Sequence, residues 1–434
     1  MNTPVNIFWF RRDLRLDDNV GLYKALHGKH PILPIFIFDT EILERLPKDD
    51  ARVTFIYHTL QNIREDLQSF GSDLALYYGQ PEEVLKKIIG RYKVQNVITN
   101  RDYEPYARAR DAAIQRLLQD NDIGFYTFKD QVIFEKGEIV KDDGTPYVVY
   151  TPYMKKWKFQ FTTHYKLREY KTQKHFGQFL KISDLPHVKL EDMGFIPSKI
   201  EIPAYRVQPQ VIQQYEATRN FPALDSTSRL GPHLRFGTVS IRQMVKKATA
   251  EKNEIFWQEL IWREFFMQIL WHFPHTQTKA FKPKYDRIVW RNREEDFERW
   301  KNGTTGYALV DAGMRELNAT GYMHNRVRML VASFLCKHLL IDWRWGEAYF
   351  AEKLLDYEMA SNVGNWQWAS GSGVDAAPYF RIFNPITQID KFDKEHIYIR
   401  KWVPEFGTPN YPERMVDHKE ARERCLQVYK EALV

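Results

Sequence analysis

Residues 6–38 read NIFWFRRDLRLDDNVGLYKALHGKHPILPIFIF. Two apolar runs, NIFWF and PILPIFIF, flank a polar stretch and a helix-length segment. Neither run alternates with polar residues, so both read as strands covered on two faces. Three more short runs follow at LALYY (74–78), NVIT (96–99) and FYTF (125–128). Between them lie helical patterns such as PEEVLKKIIGR (81–91), with Pro81 at the first helical position, acids in the first turn and basic residues later. Strands alternating with helices predict a parallel sheet covered by helices, an α/β domain over residues 1–130. The fingerprint G-x-G-x-x-G is absent, so a standard dinucleotide site at the first strand-to-helix turn is not expected.

Outward from that domain the pattern changes. Residues 131–200 carry 12 basic against 8 acidic side chains and little periodicity, and read as a connector broken by the basic segment KKWKFQFTTHYKLREYKTQK (155–174). From 201 to 434 the pattern is helical. Trp257, Leu260, Ile261 and Phe265 form one apolar stripe, and Val327, Leu330, Val331, Phe334, Leu335 and Leu339 form another. The expected architecture is α/β plus all-α.

The 434 residues hold 63 Lys and Arg against 56 Asp and Glu, a net charge of +7 that permits an anionic partner without requiring one. The two cysteines, Cys336 and Cys425, exclude a disulfide framework and a Cys-rich zinc site and suit a reducing cytoplasm. No apolar run approaches the roughly 18 residues of a membrane helix. The IFWF before Arg11 and Arg12 is too short for a secretory leader. A cytoplasmic protein with no membrane partner is expected. There is no P-loop, G-x-S-x-G or H-E-x-x-H, and His272 with His275 lacks a third ligand, so no metal is expected.

Aromatic content is the unusual quantity: 28 Phe, 24 Tyr and 12 Trp, with ten of the tryptophans from Trp257 onward. The cluster reads either as an aromatic helical core or as a place for flat ligands that stack or exchange electrons. TSRLGPHLRFG (227–237) reads as a plain helix start, or as a pyrophosphate cradle in which backbone amides join Thr227, Ser228 and Arg229. Glu259, Trp262 and Phe266 share a helix face offset from the core stripe. That pair of carboxylate and indole reads as a structural contact or as a stacking platform with an acceptor for a base. Asp356, Glu358, Asn362 and Asn365 interrupt an apolar region, and buried polar groups of that kind need partners or a ligand.

The longer strings TSRLGPHLRFGTVS (227–240), ELIWREFF (259–266), GYMHNRVRM (321–329) and NWQWASGSGVDAAPYFRIFNP (365–385) resemble those of the DNA photolyase and cryptochrome flavoprotein family. The likeness runs from WFRRDLRLDDN (9–19) to DHKEAR (417–422), and is greatest to bacterial class I cyclobutane pyrimidine dimer photolyases. It implies a Rossmann-like antenna domain, a long connector and a helical domain binding FAD, which is reduced when active. The implied FAD contacts are Tyr215, Thr227, Ser228, Arg229, Leu230, Trp257, Arg328, Asp356, Glu358 and Asn362, the last facing the reactive nitrogen of the flavin. The implied lesion pocket is Glu259, Trp262, Asn325, Met329 and Trp368, with Arg381 also on the DNA. Trp366, Trp343 and Trp290 are implied as a chain of indoles carrying electrons to the flavin.

That resemblance implies a monomeric carbon–carbon lyase acting on DNA that contains pyrimidine dimers. The alternatives are a cryptochrome-type blue-light sensor without repair, and repair of the (6-4) photoproduct. Relatives with the latter activity carry a pocket histidine pair where this chain reads His324-Asn325. Folate-using relatives carry an Asn-Glu pair where this chain reads Tyr106-Ala107, and a Cys-Lys pair where it reads Thr276-Gln277. YEPYARARD (103–111) is more similar to deazaflavin-binding relatives, so a second chromophore, if present, is expected to be a deazaflavin rather than a folate.

Overall fold

All five apolar runs are strands in the computed structural model, which describes residues 3–434: β1 (Pro4–Phe10), β2 (Ile32–Asp39), β3 (Ala75–Gly79), β4 (Lys93–Asn100) and β5 (Gly124–Phe128). They form one parallel sheet in the order β3-β2-β1-β4-β5. Ile7 of β1 lies opposite Leu33 of β2 and Val97 of β4, and all three are buried. The sheet has an apolar cluster on each face. Phe8, Phe10, Phe36 and Leu76 belong to one, and Ile7, Trp9, Ile35 and Ala75 to the other. This two-sided burial explains the uninterrupted apolar runs. The order reverses between β1 and β4, where ligands of open parallel sheets bind beyond the strand ends.

The chain divides into two compact units. One holds the chain up to Glu135 with Gln160–Tyr205 and Arg229–Ala250, and the other holds Lys136–Phe159, Arg206–Ser228 and Glu251–Val434. Residues 131–200, expected as a connector, therefore contribute to both. They also contain a helix, Tyr150–Thr163, that burial of Tyr150, Tyr153 and Trp157 along one side accounts for. Residues 229–250 join the sheet-bearing unit through a buried ion cluster. The Arg242 guanidinium reaches Asp18 at 3.1 Å and Asp130 at 2.9 Å, and Arg15 reaches Asp130 at 2.7 Å. A buried arginine needs such partners, because an unpaired charge in the interior is strongly destabilising.

The second unit is helical around one large aromatic and aliphatic cluster that includes Trp300, Trp343, Trp366, Leu330 and Val331. Both apolar stripes are buried as expected. The helix Asn325–Ser333 runs on into a wide turn, Phe334–His338, in which the Leu339 N–H bonds the Phe334 carbonyl five residues back. Among the described residues no helix is long and apolar enough to cross a membrane.

Candidate active site

The helix Ile255–His272 carries most of the site. Its buried side includes Trp257, Leu260, Ile261 and Phe265, while Glu259 and Trp262 are half-buried on the neighbouring side. The Glu259 carboxylate is held by the Arg219 guanidinium, so its partner is a cation rather than the indole beside it. Arg219 ends the Pro209–Thr218 helix and lies over the Tyr215 ring at 5.8 Å, while Tyr215 meets Phe256 edge-on at 5.4 Å. Burial raises the Glu259 pKa above the ordinary carboxylate value, although Arg219 pulls it down. Trp262 stacks on Tyr150, with ring centroids 3.6 Å apart and planes 9° from parallel.

Two further side chains of this helix region are fixed by carboxylates. Arg263 donates to Glu358 at 3.1 Å, and Trp157 Nε1 donates to Glu264 at 2.5 Å. Phe266 lies where a Cβ on Gly364 would sit, so the helix Met359–Ser370 approaches at the distance only glycine permits.

That second helix begins after Glu358 and places Asn362, Trp366 and Trp368. Asn362 donates to the Glu347 carboxylate at 2.9 Å and to the Glu347 carbonyl at 3.1 Å. Burial raises the Glu347 pKa, opposed by the Asn362 hydrogen bond. Arg328 makes a two-pronged pair with Asp356, at 3.1 and 3.0 Å, and also donates to the Met323 carbonyl. Two parallel bonds of this kind fix orientation as well as charge. Trp366 is buried, edge-on to Phe350 at 5.0 Å and to Trp300 at 6.2 Å. Trp343 belongs to the same apolar cluster, and Trp290 packs against it while meeting Tyr429 at 6.1 Å.

The remaining expected residues are placed as follows. Asn325 and Arg381 are exposed, and Met329 and Trp368 are half-buried. The Thr227 hydroxyl is 3.2 Å from that of Tyr322, and the Ser228 carbonyl accepts from the Arg206 N–H at 2.7 Å. Arg229 is left-handed (φ 54°) and Leu230 right-handed helical, ahead of the helix Gly231–Phe236. Successive residues of opposite hand turn their N–H groups toward one point and form an anion-binding nest.

Sequence reasoning missed Arg219, Tyr150, Arg326 and Lys337. Arg326 donates to Asn220 at 2.6 Å and lies 4.5 Å over the Phe392 ring. Lys337, 1 % exposed, donates to the Arg381 carbonyl at 2.7 Å, and burial lowers its pKa to about 8. Only Arg219 had a readable signal, its position four residues after Tyr215 on the same helical side. Among the described residues no group of three or more His, Cys, Asp or Glu side chains is arranged to hold a metal ion.

Residues 6–172 match the DNA photolyase family, and residues 256–410 match the FAD binding domain of DNA photolyase. A deoxyribodipyrimidine photo-lyase of Halobacterium salinarum is 35% identical, with 99% of each chain covered. The crystal structure of a bacterial class III photolyase from Agrobacterium tumefaciens is similar with a TM-score of 0.88 and 34% identity, covering 100% of this chain and 98% of that one. A Synechocystis cryptochrome is similar with a TM-score of 0.85 and 25% identity, covering 98% and 99%. The solved photolyase is class III, not the class I to which the sequence strings were likened. Those strings identify the family without fixing a class. With a relative 35% identical along its whole length, this chain belongs to the DNA photolyase family and carries that family's FAD-binding domain.

Proposed function

We propose that this protein repairs cyclobutane pyrimidine dimers in DNA under light, with FAD as its cofactor. The observation that carries the reading is the half-buried pair Glu259 and Trp262 on one helix face, with Arg219 beside them, in a chain of this family. A lesion inside a duplex must be extruded before chemistry, and the pocket that receives it needs a flat wall, a hydrogen-bonding group and cations for the DNA backbone. Trp262 and Trp368 supply walls for the two pyrimidines, Glu259 meets a base edge, and Asn325, Met329 and Arg381 complete the DNA side.

The residues present suit FAD. Thr227 brings a hydroxyl donor for a pyrophosphate. Tyr215 and Trp257 offer apolar surface, and Glu358 an acceptor for ribose hydroxyls. Arg328, oriented by Asp356, and Asn362, oriented by Glu347, offer fixed donors to a flavin ring. The chemistry supplied by FAD, when bound, reduced and photoexcited, is transfer of an electron to the dimer and its recovery after the ring opens. Trp366, Trp343 and Trp290 serve reduction of the resting cofactor. Where a second chromophore is bound, a deazaflavin rather than a folate fits the reading, in the sheet-bearing unit near the start of the Pro105–Gln119 helix, where the Tyr106 hydroxyl donates to Asp39 at 2.6 Å.

The test is loss of a thymine dimer from a short oligonucleotide mixed with the reduced protein, lit against dark. Light-dependent loss is expected. Absence of repair by protein whose spectrum shows bound reduced flavin would turn the assignment to a cryptochrome-type sensor or to a different lesion.

A further inference from the structure

The geometry points to Tyr150 as a positioning residue that sets the plane of Trp262 and, through it, selectivity for the extruded lesion. This rests on the reading of Trp262 as a wall of the lesion pocket.

Tyr150 opens the Tyr150–Thr163 helix and is tied at three points. Its ring lies parallel to the Trp262 indole in full face-to-face contact. Its hydroxyl donates to the Gln258 carbonyl at 2.7 Å, one turn before Trp262 on the same helix. Its backbone N–H donates to the Asp375 carboxylate at 3.1 Å. Phe265 meets the ring from the side at 5.8 Å. Burial and the nearby Glu259 carboxylate push the phenol's pKa up, so the hydroxyl stays a donor throughout the usual pH range.

Trp262 is only half-buried; Phe265 and Phe266 of its own helix meet it at 5.6 and 5.5 Å, and without a ring laid flat on its face the indole would have freedom to rotate about its side-chain bonds. The stacked phenol covers one face. Because its hydroxyl is anchored to the backbone of the Trp262 helix, the plane of the indole is set by backbone geometry. Asp375, which anchors the Tyr150 N–H, belongs to the same 371–384 segment as Arg381, whose carbonyl is held by Lys337. Tyr150 therefore joins the wall to the segment expected on the DNA. A wall fixed before binding loses little conformational freedom when two flipped pyrimidines arrive, and that advantage is absent for undamaged duplex. A phenol that merely filled space would affect stability, cofactor content and all DNA binding alike.

The experiment uses the full-length FAD-loaded protein, with dimer-containing and undamaged duplexes of one sequence, titrated in the dark by fluorescence anisotropy. Tyr150→Phe, which keeps the ring but gives up the bond to the Gln258 carbonyl, should lose about two- to threefold for the dimer, whereas Tyr150→Leu, which loses the stack as well, should lose about three- to tenfold for the dimer alone. Undamaged-DNA affinity and FAD content should stay as in the parent. Wild-type dimer affinity in Tyr150→Leu, or equal loss on both duplexes, overturns the proposal. If Tyr150→Leu does not fold, the parent protein carries the test through 5-fluorotryptophan, with the Trp262 resonance assigned by Trp262→Phe. One narrow line before DNA is added supports a fixed indole, and an exchange-broadened or split line overturns it. A parent that fails to prefer dimer DNA would overturn the lesion-pocket reading, while the fluorine line would still report on the stack.

Discussion

Arg219 holds the Glu259 carboxylate in an ion pair across 40 residues of chain. On the proposed function, this carboxylate also meets a base edge of the extruded lesion, beside a cation that can face phosphate. Glu259→Ala should therefore lower repair yield far more than FAD content, measured by dimer loss and by flavin absorbance. Equal loss of both would make the residue structural. Since burial raises the Glu259 pKa, the group binds its proton at higher pH than an exposed glutamate. Preference for dimer over undamaged DNA should therefore fall as acid protonates this carboxylate, starting at a higher pH than for an exposed glutamate, and Glu259→Gln should flatten that profile.

Trp290 is the half-buried member of the proposed indole series, packed on the cluster that contains Trp343 and Trp366. Trp290→Phe should slow photoreduction of oxidised FAD several-fold and leave repair by chemically reduced protein nearly intact. Flash photolysis reads the first and dimer loss the second. An unchanged photoreduction rate removes Trp290 from the series.

Gly346 gives Trp366 its room, for a Cβ there would meet the far edge of the indole and lie 2.6 Å from Leu335 Cδ2. Alanine normally favours a helix over glycine, yet here overpacking should win and destabilise by about 1–3 kcal/mol. Urea unfolding of Gly346→Ala checks the sign. Unchanged or greater stability would show that the indole can shift at no cost.

His338 is 1 % exposed, and its Nε2 lies 2.9 Å from Nδ1 of His418, the first residue of the C-terminal helix His418–Leu433. Burial, with His418 and Arg424 nearby, lowers the His338 pKa to about 3. The unfolded chain then binds a proton that the folded one refuses. Stability should fall as pH drops below the ordinary histidine value of 6.5, by about 1.4 kcal/mol per pH unit until the folded pKa is reached. Melting temperatures measured from neutral to acidic pH should show this decline, and His338→Phe should reduce its slope.

Both thiols are fully buried, and burial raises the Cys336 pKa and takes Cys425 up to about 12. The thiolate is the reactive form, so neither should titrate with a disulfide reagent in the native protein. Two thiols should appear in denaturant. Fast native labelling of either would contradict the burial.

The strands and the two apolar helices were legible because each is encoded by its own local pattern, the continuous runs of β1 and β2 and the stripes through Trp257 and Val327. The family resemblance singled out Glu259, Trp262 and Asn362 as individual candidates. What the sequence withheld were the partners. Arg219 of Glu259, Glu347 of Asn362 and Tyr150 of Trp262 lie outside the local pattern of each residue, and no periodicity links side chains brought together only by folding. The same holds for Arg242, whose placement beside Asp18 and Asp130 assigns residues 229–250 to the sheet-bearing unit. Tyr150 was further hidden because the aromatic and basic stretch around it lacks a clean amphipathic pattern.

The wide turn at Phe334–His338 bears on how this chain can change length. Such a turn is an ordinary helix carrying one inserted residue, and the insertion is what brings Lys337 to the Arg381 carbonyl and His338 to His418. Losing one residue there would restore regular winding and rotate whatever follows by about 100° relative to what precedes it. Side chains in this stretch can be exchanged singly at a graded cost, but an in-frame deletion of one codon would break the Lys337 tie to the Arg381 carbonyl and the His338 tie to the C-terminal helix together.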